Sequence, residues 1–429
     1  MPRQPAPVLV PSSHPGQARR GFLRGASALA TGLALAPGAC LQALAMESWT
    51  ATWGTAPAGP PTTANFLAFS NQTLRLIVRT SIAGTRLRVR FSNEMGSAPL
   101  QIGAASIGIT SSYASLVAGS SRPLTFAGRT GVTIAAGAPL LSDPVDLVVP
   151  AQSDLAVSIY LPANVIATTV HDAAFQTSYA SSSGNHTATA TMPVATALYS
   201  WPYLTEIDVS SGSSLPGSAL VALGDSITDG ALSGGSANHR WTDYLARRLQ
   251  LEAPGLKVGV VNRGLSGNRL LGDASNTPLA GKDALERFDR DVLATAGVRW
   301  LAVLLGINDI VNVSSDGLAA MPDELSLGYT QLIARAHARG IGVLGATLLP
   351  FEGFVWYAPA RETARQQVND WIRNSGAFDA VLDFEAEVRD PSQPGRLLAA
   401  YDGGDHLHPN DAGFDAIARS VPLGVFTAS

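Results

Sequence analysis

The chain has one cysteine, Cys40, and only two lysines, Lys257 and Lys282, in 429 residues. A single thiol cannot form an intramolecular disulfide, so the body must be held by packed cores. Acidic side chains outnumber basic ones, 33 to 29, which disfavours a nucleic-acid partner, since that would ask for a basic face. Histidine is scarce, seven in all, and no His, Cys or carboxylate spacing suits a metal, so neither a metal nor an organic cofactor is expected. Charged residues make up 14% and hydrophobic ones 46%, too apolar a balance for a disordered chain. A chain of this length suggests two domains.

Residues 1–45 contain Arg3, Arg19, Arg20 and Arg24 and no acid, then a small apolar stretch from Gly25 to Ala39, then Ala43-Leu44-Ala45. That order is that of a signal peptide, and the apolar stretch is too short to span a bilayer. Ala18-Arg19-Arg20-Gly21-Phe22-Leu23-Arg24 is similar to the twin-arginine export signal, whose cargo crosses folded. Cleavage after Ala45 would leave no thiol and a net charge near −8. The expectation is an exported protein, periplasmic or extracellular, without a stable membrane anchor. Pro37 stands where a lipobox would have Leu, which argues against Cys40 as a lipid anchor.

From Trp49 to Val209 the pattern has period two. Leu74, Leu76 and Val78 face one way and Arg75 and Arg79 the other, and Arg86–Phe91 and Leu155–Leu161 repeat it. Residues 46–209 therefore read as an all-β, sandwich-like domain. Ser210 to Ser218 is a linker by composition. In residues 219–429, short apolar runs at Ala219–Leu223, Val258–Val261, Trp300–Leu305, Ile341–Leu349 and Ala380–Phe384 alternate with helical stretches at Trp241–Leu251, Asp283–Ala294, Leu325–Ala338 and Arg361–Arg373. Such alternation implies an α/β domain with a parallel sheet, its chemistry just beyond the carboxyl ends of the strands.

Directly after the first run stands Gly224-Asp225-Ser226, a serine on a tight turn that can present its hydroxyl to a cleft. It is not the Gly-x-Ser-x-Gly elbow, since positions 222 and 228 are Ala and Thr. A base is offered by Asp405-His406-Leu407-His408, where a carboxylate three residues before His408 can hold its Nδ1–H. His406 is the weaker rival. Asn410 suits the N-cap of a final helix over Ala412–Ala418, whose N-terminus favours a neutral imidazole at His408. Oxyanion donors are offered by the loops Asn262–Arg269 and Gly306–Asp309, after the second and third runs.

These four blocks, in this order across residues 219–421, resemble the conserved blocks of the GDSL/SGNH hydrolase family. The resemblance implies a three-layer flavodoxin-like domain of about five parallel strands. It implies Ser226 as nucleophile, Asp405 and His408 completing a triad, and an oxyanion hole from the Ser226 N–H, Gly267 and Asn308, with Gly264 the rival glycine. The N-terminal β-domain is similar to that of longer bacterial members, and the family does not fix its role. The expected activity is hydrolysis of carboxylic esters through an acyl-enzyme, on short acyl esters of carbohydrates or small alcohols. The alternatives are a lipase, lysophospholipase or thioesterase for longer chains, and a glycan-binding protein with an inert scaffold. Phe354, Trp356 and Tyr357, after the fourth run, are candidate substrate-contacting rings or else a flap packed on the β-domain.

Overall fold

A computed structural model describes residues 47–61, 67–212, 217–274 and 277–427. The expected leader, residues 1–45, lies outside the described residues, as do positions 213–216 of the expected linker. Among the described residues no helix is long and apolar enough to cross a membrane.

Two antiparallel sheets form the N-terminal part. One runs through Thr50–Gly54, Leu204–Ser210 and Gly84–Ser92; the other through Ser178–Ser183, Gln72–Arg79, Asp154–Leu161 and Ala104–Ser112. The period-two residues of both meet in one core, with Leu74, Leu76 and Val78 against Leu87, Val89 and Phe91. The opposite face is less simple than alternation implies, because Arg75 is fully buried. Loop residues fold over it, and its guanidinium donates to Ser158 Oγ at 3.0 Å, Ala114 O at 2.5 Å and Thr189 O at 2.8 Å. Burial lowers its pKa to about 10.

In the C-terminal part the strands Val258–Gly264, Ser218–Gly224, Val298–Leu304, Gly342–Ala346 and Ala380–Leu382 pair in that spatial order, all parallel. Their chain order across the sheet is 2-1-3-4-5. Strands 1 and 3 leave the sheet in opposite directions there, which opens a crevice at their carboxyl ends. The four longest helices are Trp241–Glu252, Met321–His337, Pro359–Asn374 and Asp411–Ser420. The stretch expected as one helix over Asp283–Ala294 is instead a short helix, Ala284–Phe288, running into a π turn, Asp289–Leu293. This turn places the buried Asp291 carboxylate against both Arg287, at 2.9 Å, and Arg290, at 2.7 Å.

The two parts share a close seam. Strand Thr50–Gly54 lies against Val258–Gly264, and a Cβ at Gly259 would sit 2.1 Å from Ala51 O, so the approach requires glycine. Arg263 crosses the seam fully buried, paired with the buried Glu206 and donating to Thr205 O at 3.0 Å. Removing one partner of such a pair typically costs about 3–5 kcal/mol, because a buried charge is left uncompensated.

Candidate active site

Strand Ser218–Gly224 ends in the crevice, and the chain turns at once into a four-residue helix, Ser226–Asp229. Asp225 caps it, with Oδ1 accepting from Ile227 N at 3.0 Å. Gly224 is required by space, since a Cβ there would lie 2.1 Å from Thr228 Oγ1. Ser226 is left 8% exposed.

The C-terminal loop brings the other groups to it. Ser226 Oγ lies 2.7 Å from His408 Nε2, and His408 Nδ1 lies 2.6 Å from Asp405 Oδ2. Asp405 Oδ1 accepts from the N–H groups of Leu407 at 3.0 Å and His408 at 2.9 Å. Burial alone would raise the Asp405 pKa, but the His408 ring and these two N–H groups outweigh it and hold the carboxyl at about 2. Asn410 fixes the loop from behind, its Oδ1 capping helix Asp411–Ser420 at Gly413 N, 3.0 Å away. His406 turns elsewhere: at φ 66° its Nδ1 sits 2.5 Å from Asp402 Oδ2. The structure thus brings Ser226, His408 and Asp405 into one row and leaves His406 outside it.

The two proposed donor loops meet beside this row. Asn308, 9% exposed in helix Ile307–Asn312, donates one amide hydrogen to Asn268 O at 3.1 Å, which leaves its second hydrogen for another acceptor. Gly267 has φ 81°, and the neighbouring loop is held tightly: Asn268 Nδ2 donates to Ala280 O and Lys282 O, both at 2.7 Å. Gly264 gives its N–H to Asn262 Oδ1 at 2.8 Å, and a Cβ there would lie 2.2 Å from Asp229 N. Its need for glycine is therefore one of packing.

Several organising residues escaped the reading from sequence. Asp229 Oδ2 accepts from both Ser266 N, at 2.9 Å, and Ser266 Oγ, at 2.7 Å. Asp309 accepts from Leu270 N and Leu271 N, each at 3.0 Å, and burial raises its pKa to about 6. Arg287, fully buried, donates to Gly224 O at 3.0 Å and to Asn268 Oδ1 at 2.9 Å, tying the nucleophile's strand to the donor loop. None of these pairs has a local sequence signature.

The aromatic segment packs on the site's own loops. Phe354 and Tyr357 lie against a small cluster of Ile307, Val311, Phe351 and Leu407, the first and last of them sequence neighbours of Asn308 and His408, rather than forming a flap on the β-rich part. Trp356 is 50% exposed and meets Phe354 edge-on at 5.4 Å. Away from the site, Asp273, Asp283 and Glu286 come close enough to share an ion, but the Lys282 ammonium already pairs with Asp273 at 2.8 Å and Glu286 at 3.2 Å.

Residues 222–416, which carry all of this geometry, match the model of the GDSL-like lipase/acylhydrolase family. The match takes in somewhat less than half of the chain. The match begins just before the turn at Gly224-Asp225-Ser226. Over 101 residues the chain is 33% identical to an acetylxylan esterase of Geobacillus stearothermophilus, a match covering 22% of this chain and 41% of that relative, so less than half its length. Among solved structures, an acetylxylan esterase from the same organism matches at 25% identity and TM-score 0.36, covering 50% of this chain and 96% of the other. An α/β-hydrolase enzyme from the metagenome of Lake Arreo, Spain, matches at 24% identity and TM-score 0.37, covering 49% and 95%.

Proposed function

We propose that the protein is an exported serine esterase that hydrolyses short acyl esters, acetyl groups on carbohydrate foremost, through an acyl-enzyme. The observation that carries this reading is the unbroken row Ser226 Oγ, His408 Nε2, His408 Nδ1, Asp405 Oδ2, with links of 2.7 and 2.6 Å. In the first step His408 takes the Ser226 proton as Oγ attacks the acyl carbon. Asp405, ionised at any pH above about 2, fixes the imidazole's orientation and stabilises the imidazolium. The negative oxygen that develops is met by the Ser226 N–H, the Gly267 N–H and the second Asn308 amide hydrogen. His408 then protonates the leaving alcohol, and a water repeats the sequence to release the acid.

The relative named for acetylxylan supports a carbohydrate ester as substrate. In this reading the C-terminal part is a five-stranded flavodoxin-like hydrolase domain after the linker, and the N-terminal part is a β-sandwich. Residues 1–45 serve as the twin-arginine leader. The apolar cluster under Phe354 and Tyr357 favours a second reading, a lipase or lysophospholipase that lays a longer chain there. Turnover of aryl esters from acetate to palmitate separates the two, because a maximum at long chains defeats the acetylesterase reading. Ser226→Ala should abolish hydrolysis and labelling by a fluorophosphonate probe, a loss of about 10⁶ in kcat if the row acts as a unit. Unchanged turnover in that variant would defeat Ser226 as the nucleophile, whereas a parent protein that neither turns over an ester nor takes the probe would leave a glycan-binding scaffold.

A further inference from the structure

The N-terminal part reaches the donor loop by two routes. Its residue His171 is buried in the seam, with Nδ1 2.9 Å from Ala56 O and Nε2 3.1 Å from Asp229 Oδ1. The ring stacks on Trp201 at 5.4 Å, and Trp201 in turn meets Trp53 edge-on at 5.0 Å, so it is fixed by packing as well as by hydrogen bonds. Asp229 passes the constraint on: its other oxygen holds Ser266 by both N–H and Oγ, and Ser266 is the residue before Gly267. The second route is apolar. Leu265, two residues before Gly267, is buried against Ala56 and Ala58, in the segment whose Ala56 O meets His171.

We infer that the β-rich part is a positioning element of the oxyanion loop, acting through His171 on Asp229 and Ser266 and through the Ala56–Ala58 seat on Leu265. The inference rests on the esterase reading above. A backbone N–H stabilises an oxyanion only where its hydrogen already points, and a shift of about 1 Å can cost a hundredfold in rate. Gly267, with no side chain of its own to anchor it, needs its neighbours held. Asp229 closes the helix that Ser226 opens, so the same carboxylate ties the loop to the nucleophile. Without His171 it would be a buried carboxylate with one oxygen unanswered.

The test compares His171→Ala, His171→Gln and Leu265→Ala in the full chain with an aryl acetate. A merely stabilising role would lower the melting temperature and leave the turnover of folded protein alone. The inference requires kcat to fall about tenfold to a hundredfold in His171→Ala with KM within about threefold, since the lost interaction exists only in the transition state. Gln can place an amide N–H near the former Nε2 and should recover most of kcat. A double-mutant cycle of His171→Ala with Ser266→Ala should be clearly non-additive in kcat, because both act through Asp229. Leu265→Ala carries the test where His171→Ala does not fold, with a smaller fall in kcat expected. Parental kcat in the folded variants, or additive losses, overturns the inference. If Ser226→Ala also retained turnover, the Ser226 acyl-enzyme reading itself would have failed, so the two failures are distinguishable.

Discussion

The loop from Asp402 to His408 and the seam around Asp229 both hold a histidine against a carboxylate, but by opposite means. In the loop the partners are three or four residues apart, and the turn itself makes the contact. Asp405 takes the N–H groups of Leu407 and His408, while Asp402 takes those of Gly404 and His406. Two turns of similar construction thus overlap, and only the second points its imidazole at Ser226. In the seam, His171 and Asp229 are 58 residues apart and meet only because two sheets pack edge to strand. The loop contact is cheap in chain entropy and stands at solvent. The seam contact is dry, and it couples one half of the molecule to the other.

The largest effect should separate the two turns of the loop. Asp405→Asn preserves the shape but presents an amide to the ring, which favours the wrong tautomer and should lower kcat by about 10⁴. Asp402→Asn makes the same exchange one turn earlier and should leave hydrolysis within about threefold of the parent, since His406 lies outside the row. Equal losses in the two variants would mean that the loop matters as a whole and that the distinction drawn between its halves is false. A smaller effect probes the donor side. Asn308→Ala removes both the oxyanion hydrogen and the tie to Asn268 O, and a loss of about 10²–10³ in kcat is expected. A loss under tenfold would reduce Asn308 to a tie between loops.

The same contrast explains what the sequence made legible. Apolar runs of five to seven residues ending at Gly224 or before Gly306 betray buried parallel strands, because such strands have no polar face. Asp405 and His408 are readable because their spacing is that of the contact. Arg75 looked like the outward member of an alternating strand. Its burial depends on loop carbonyls from Ala114 and Thr189, which no local pattern encodes. Asp229, Arg287 and His171 were unreadable for the same reason: each partner comes from a different strand end. The Ser266-Gly267-Asn268 context favours Gly267 over Gly264, and the bond from Gly264 N–H to Asn262 Oδ1, which supports that proposal, has no local pattern. The expected leader and linker rest on composition alone, and residues 1–45 lie outside what the structure describes.

The smallest effect is one of pH, and it has opposite signs on the two sides of Ser226. Asp405 has its pKa held down at about 2 against an ordinary 3.8. Its contribution to stability is therefore complete above pH 4 and lost as pH falls toward 2. Asp225 is the reverse case. It is completely buried, its Oδ2 has no hydrogen-bond partner, and burial raises its pKa to about 7 despite the Ile227 N–H. The native state then holds that proton more tightly than the unfolded chain, so stability falls as pH rises from about 4 to 7. Asp225→Asn keeps an acceptor for Ile227 N and removes the titration. The variant should gain on the parent across this window by at most about 1.4 kcal/mol per pH unit, read from denaturant midpoints at pH 4, 5, 6 and 7. Asp309, raised to about 6, leaves a residual slope in the variant. Parallel curves for the two proteins would show that Asp225 is ionised in the native state throughout the window. It would then be stabilised as Asp405 is, and the asymmetry between the two sides of the nucleophile would disappear.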